Sequence, residues 1–213
     1  MTNIFNFIAL SLGRLTQFIL AFVTIKVMTT LLNPEQVGNY YLMLALISGI
    51  LFLFINPIGL FINRRINSWE RSHLIRQYMF LYLMYLLIVA LISSLISIYL
   101  INIYFEFKIS SLWVGVLISS SVFFNTINTT AIPSLNLLGH PIKYITLIIL
   151  TVLFSLIFAT LFVYNFETSF NYWFSGIVFG QLFVGIIGVI ILYANTSGEI
   201  NFSIVLDLKP EPT

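Results

Sequence analysis

Arg14, Gln17, Thr24 and Lys26 lie within SLGRLTQFILAFVTIKVMTTLL, residues 11–32, an otherwise apolar run. At helical spacing, Gln17 and Thr24 fall within ~80° of Arg14 with Ala21 between them, whereas Lys26 is rotated by ~120°. The planar fork of a guanidinium matches the oxygens of a carboxylate or phosphate. Arg14 either snorkels inward or pairs with a carbonyl, or it faces a central cavity and binds an anion such as a diphosphate. A second group is neutral: Ser121, Asn125 and Asn128 are spaced i, i+4, i+7 and share one face. Such amides either hydrogen-bond neighbouring helices or line a polar cavity. Arg64 and Arg65 form a third group. They serve either as topology signals in contact with headgroups or as a basic guard that attracts an anion.

Equally informative is the chemistry that is missing. The chain has no cysteine, which removes disulfides and thiolate metal sites. It has no G-x-x-x-x-G-K-[ST] for nucleotide phosphates and no H-E-x-x-H. The two histidines, His73 and His140, fall in connecting segments, and the apolar spans contain no aspartate or glutamate beyond Glu35 in the opening turn of the second. A membrane enzyme needs acids, bases or metal ligands at its site. Positive charge beside neutral polar stripes favours binding and moving an anion over transforming one. No enzyme activity, cofactor or nucleic-acid partner is expected.

The elements that position these groups follow from composition. Of 213 residues, 60% are hydrophobic and 8% charged, with mean hydropathy +1.04. A soluble domain carries about 25% charged residues. The apolar runs are continuous and lack period-2 alternation, so an all-α polytopic membrane protein is expected instead of a β-barrel. A spanning helix needs ~20 apolar residues, and six candidates occur, near 4–32, 34–60, 78–101, 112–133, 142–164 and 172–194. Together they make a lobe over 1–194, followed by a polar tail or linker over 195–213. The start lacks a basic n-region and a small-residue cleavage site and reads as a retained span. Arg64, Arg65, Arg71, Arg76, Lys143 and Lys209 group on one side, which predicts a multi-pass protein with both termini cytoplasmic.

Local signals refine the spans. The first, at ~43 Å if helical throughout, exceeds a ~30 Å hydrocarbon core. Lys26 reaches the outer headgroups by snorkelling. Arg14 lies about four turns from that end and is the harder charge to place in lipid. In LNPEQVG, Asn33 suits an N-cap, Pro34 the first helical position and Gln36 a capping-box partner, giving a tight hairpin of the first two spans. Asn56-Pro57 marks either a helix end or a break lining a cavity. Gly176 and Gly180 form a GxxxG contact face. Tyr164, Phe170, Tyr172 and Trp173 read as an aromatic belt.

The segments TTLLNPEQVGNYYLMLALISGI and NPIGLFINRRINSWER, following a polar and basic first span, resemble polysaccharide and O-antigen flippases. These belong to the superfamily of multidrug, oligosaccharidyl-lipid and polysaccharide exporters. Leu31, Leu32, Asn33, Pro34, Glu35, Gly38 and Tyr40 match the family's first hairpin, and Gly59, Asn63 and Arg64 its second motif. The resemblance implies two six-helix lobes around a cavity that alternates its opening, in a bacterial inner membrane. The substrate would be a polyprenyl-diphosphate-linked oligosaccharide, and the bilayer lipids themselves are further partners. Six spans correspond to the N-terminal lobe alone, so a truncated or half-size transporter is expected, with a second lobe or a second copy as partner. Three other readings stand beside it: a non-functional fragment, a polymerase or ligase component of sugar assembly, and a multidrug exporter.

Overall fold

The computed structural model describes residues 2–104 and 110–198. These form helices and short connections, with no strand among the described residues. Six helices are long and apolar enough to cross a membrane, so the architecture is that of an all-α multi-pass membrane protein.

The first span is α1 (Thr2–Leu31). The second is α2 (Pro34–Ile50), a π-helical turn at Leu51–Ile55, and α3 (Asn56–Arg71). The third is α4 (Ile75–Tyr104). The fourth is α5 (Ser111–Thr126), a π-helical turn at Ile127–Ala131, and α6 (Ile132–Leu137). The fifth and sixth are α7 (Pro141–Asn165) and α8 (Phe170–Ala194).

Neither proline ends its helix, which corrects the expected boundaries at 60 and 133. Pro57 and Pro133 each follow a π-turn by two residues. In these turns the backbone bonds five residues back, Asn56 N–H to Leu51 O and Ile132 N–H to Ile127 O. The wider turn makes room for a residue that lacks an N–H, and the helix continues. The second span therefore reaches Arg71, and Arg64, Arg65 and Arg71 stand on a helix instead of in a loop. Both π-turns are braced from α4: the Tyr85 hydroxyl donates to the Phe54 carbonyl at 2.6 Å, and the Tyr82 hydroxyl to Thr130 Oγ1 at 3.1 Å.

Packing follows small residues, as it must where lipid is as apolar as leucine. A Cβ on Gly176 would lie 2.5 Å from the Ala159 nitrogen, and one on Gly180 2.5 Å from the Ser155 Cα. The GxxxG face thus brings α8 against the backbone of α7. The α4–α5 and α7–α8 pairs join through α5 and α8. Trp173, Phe170 and Phe174 are fully buried in the core. Trp173 and Phe170 are therefore packing residues and not members of a belt, while Tyr164 remains exposed.

The first hairpin also differs from expectation. Asn33 Oδ1 accepts the Gln36 N–H at 2.9 Å, as an N-cap should. Gln36 Oε1, however, accepts the Phe170 N–H at 2.8 Å and ties α2 to the start of α8. The first helix packs along α7 rather than along α2. The tail expected over 195–213 lies outside the described residues from 199 onward.

Candidate functional site

Register fixes the site. Gly13 abuts Ile145 and Arg14 lies beside Tyr144, and as the first and fifth of six successive spans α1 and α7 run in parallel. Since α7 begins at Pro141, Arg14 stands about 6–8 Å along the bundle from that start. The opening residues of α1 project beyond it. Arg14 is thus not at mid-depth: it is near one end of the bundle, as Lys26 is near the other.

Arg14 donates to Gln17 Oε1 at 2.9 Å and to the Tyr144 hydroxyl, and its guanidinium carbon lies 5.5 Å from the Tyr144 ring centroid. Tyr144 is buried, whereas Arg14 is exposed. A buried ring and an amide therefore aim a solvent-accessible guanidinium. Two of its N–H groups are engaged and the rest remain for a ligand.

The guanidinium opens on a cavity of about 570 Å³. Gln17 and Thr24 from α1 line one wall, and Asn125 and Asn128 from the fourth span line another; Thr151 of α7 and Gln181 of α8 complete it. Arg14 is the one charged side chain among the described residues that line it. Five of the nine residues named from sequence therefore meet here; Ser121, buried within the fourth span, is not among them. Lys26, Arg64 and Arg65 do not line the cavity; all three are exposed elsewhere.

The polar groups divide by how much bonding capacity they retain. Asn128 Nδ2 donates to the Phe124 and Gln181 carbonyls, each at 2.8 Å, and its Oδ1 lies 3.2 Å from Thr151 Oγ1. It is 6% exposed and acts as a cross-link between α5, α7 and α8. The Thr24 hydroxyl donates to Leu20 O at 2.8 Å. By contrast, Gln181 Oε1 is buried without a hydrogen-bond partner. Gln181, Thr151 and Tyr144 were not singled out from sequence. Each belongs to an apolar helix with no local polar pattern, and they meet α1 and the fourth span only in the fold.

No family model, curated protein or solved structure matches the chain. The chemistry of the cavity therefore carries the functional reading on its own: one cation, several amides and hydroxyls, and apolar walls. Among the described residues no cluster of His, Cys, Asp or Glu could hold a metal ion.

At the end of the bundle where α7 begins, a different polar assembly holds the end of α8. Arg76 donates to the Tyr193, Thr196 and Gly198 carbonyls at 2.9, 2.7 and 2.9 Å. His73 Nδ1 lies 2.9 Å from Ser197 Oγ, Ser197 Oγ also lies 3.1 Å from Glu70 Oε1, and Lys143 bonds Asn195 Oδ1. Arg76 and Lys143, read from sequence as side-determining charges, thus also hold the chain leaving α8.

Proposed function

We propose that this protein takes part in translocating a polyprenyl-diphosphate-linked oligosaccharide during surface polysaccharide synthesis, as one lobe of a flippase. The observation that carries the reading is the cavity's electrostatics. Among the described residues that line it, a single guanidinium is held at its rim by Tyr144 and Gln17, with neutral amides within and no carboxylate. A diphosphate is served by such a cation, hydroxyl-rich sugars by amides, and a polyprenyl chain by apolar helix faces. The same electrostatics disfavour a cation-exporting drug pump, because an arginine repels a cationic substrate and none of the described residues lining the cavity is an acid.

On this reading the protein lies in a bacterial inner membrane with both termini cytoplasmic, and a second lobe or a second copy closes the exposed side of the cavity. Arg14→Ala should abolish surface polysaccharide while the protein still inserts. Normal export in that variant overturns the role of the cation. The face on which sugar-lipid accumulates in a deletion strain separates the alternatives: cytoplasmic accumulation supports flipping, and outer accumulation supports a polymerase or ligase.

A further inference from the structure

The second span is too long for a bilayer. Its helix covers 38 residues, Pro34–Arg71, or ~57 Å at 1.5 Å per residue. Even a ~40° tilt leaves ~44 Å along the membrane normal, against a ~30 Å hydrocarbon core. The final turns of α3 must therefore lie at headgroup level.

Those turns have two faces. Gly59, Ile62, Ile66 and Trp69 recur at i, i+3, i+7, i+10 and are buried. Trp69 stacks on Tyr78 of α4 with ring centroids 4.3 Å apart, which locks the helix onto the bundle. The opposite face is exposed and changes character along its length. Leu60 and Phe61 come first, and Arg64, Arg65 and Arg71 follow one to three turns later. Three basic residues on other elements each bond within the protein: Arg14 to Tyr144, Arg76 to the end of α8, and Lys143 to Asn195. Arg64 and Arg71 bond no protein group among the described residues.

We infer that this outward face of α3 is a docking surface for anionic phospholipid headgroups. Arg64 and Arg71 meet the phosphates, Arg65, which also has a partner within the protein, adds its charge beside them, and Leu60 and Phe61 enter the acyl layer one turn deeper. Charge complementarity and the apolar-to-basic gradient along a single face select a lipid surface over a soluble anion, which has no use for the apolar part. None of the three arginines lines the cavity, so this surface is independent of the transport reading.

The test uses the full chain in detergent, equilibrated with phosphatidylglycerol or phosphatidylcholine, with retained lipid counted by native mass spectrometry. One cation near an anionic surface is worth roughly fivefold in partitioning. The wild type is expected to prefer phosphatidylglycerol by at least about tenfold. The Arg64→Gln/Arg65→Gln/Arg71→Gln variant should lose that preference, and the corresponding triple lysine variant should keep it. An unchanged preference in the glutamine variant overturns the inference, as does loss in the lysine variant. Displacement of phosphatidylglycerol by inorganic pyrophosphate also overturns it, because the surface would then be a soluble-phosphate site. Should the triple glutamine variant fail to fold, Arg64→Gln and Arg71→Gln are read singly. Each is expected to lower the ratio by up to about fivefold, and no change in either overturns the proposal.

Discussion

Arg14 and Tyr144 meet across 130 residues of sequence, guanidinium to phenol, at the rim of a cavity of about 570 Å³. If Tyr144 aims the cation, Tyr144→Phe should keep the ring under Arg14 but free the guanidinium to move. Export should fall by several-fold without vanishing, and less than in Arg14→Ala. Arg14→Lys should resemble the alanine variant, because a point charge lacks the fork that bonds a phenol and a phosphate together. Surface polysaccharide measured at equal membrane abundance checks both.

The α7–α8 contact gives a sharper steric prediction. Gly180→Val places branched carbons where the Ser155 backbone already stands, and Gly176→Val does the same at Ala159. Each should destabilise by at least about 1–3 kcal/mol, read as a lower melting temperature in detergent. Gly185→Ala is the control: its nearest neighbour is the Asn128 amide at 3.4 Å, an ordinary contact distance at which a methyl group fits.

Arg76→Ala should leave the Tyr193, Thr196 and Gly198 carbonyls without their shared donor. Hydrogen bonds to a charged group contribute about 1.5–3 kcal/mol, so the end of α8 should fray. Protease cleavage near residues 195–198 should accelerate, with the apolar spans still protected. Arg76→Lys should rescue only in part, since an ammonium on a flexible stem cannot hold three carbonyls in one plane.

Tyr82→Phe and Tyr85→Phe test the braced π-turns. Side-chain hydrogen bonds within membranes average about 0.6 kcal/mol, so each variant should lose little stability. Backbone hydrogen exchange should nevertheless rise at residues 51–58 for Tyr85→Phe and at 127–133 for Tyr82→Phe. Unchanged exchange at those positions would show that the π-turns hold without the tyrosines.

The spans were legible in the sequence because hydropathy over 20 residues is a strong and local signal. Their ends were not. Pro57 and Pro133 stop a regular helix, and nothing local announces a π-turn two residues earlier that lets the helix continue. The site was half legible. Helical spacing alone placed Arg14, Gln17 and Thr24 on one face and Asn125 with Asn128 on another. Whether those faces meet depends on α1 packing beside α7, a partner far along the chain. Asn128 shows the same limit, since its stripe predicted a polar face but not that its amide is saturated by α8 and Thr151. Gln36 matched a capping box by spacing, and its carbonyl instead went to Phe170.

The parallel placement of α1 on α7 also sets an order of events during synthesis. With chain growth at ~5–20 residues per second, the ribosome needs roughly 6–26 s to make the 130 residues that separate Arg14 from Tyr144. For that interval α1 stands in the bilayer with Gln17 of its own helix, and not Tyr144, beside the cation. The position of Arg14, less than two turns from the level at which α7 begins, makes the wait tolerable, because a long side chain at that depth reaches water by itself. The helix that emerges first is thus among the last to be seated. The cavity wall that it carries comes into being only when the fifth span arrives beside it.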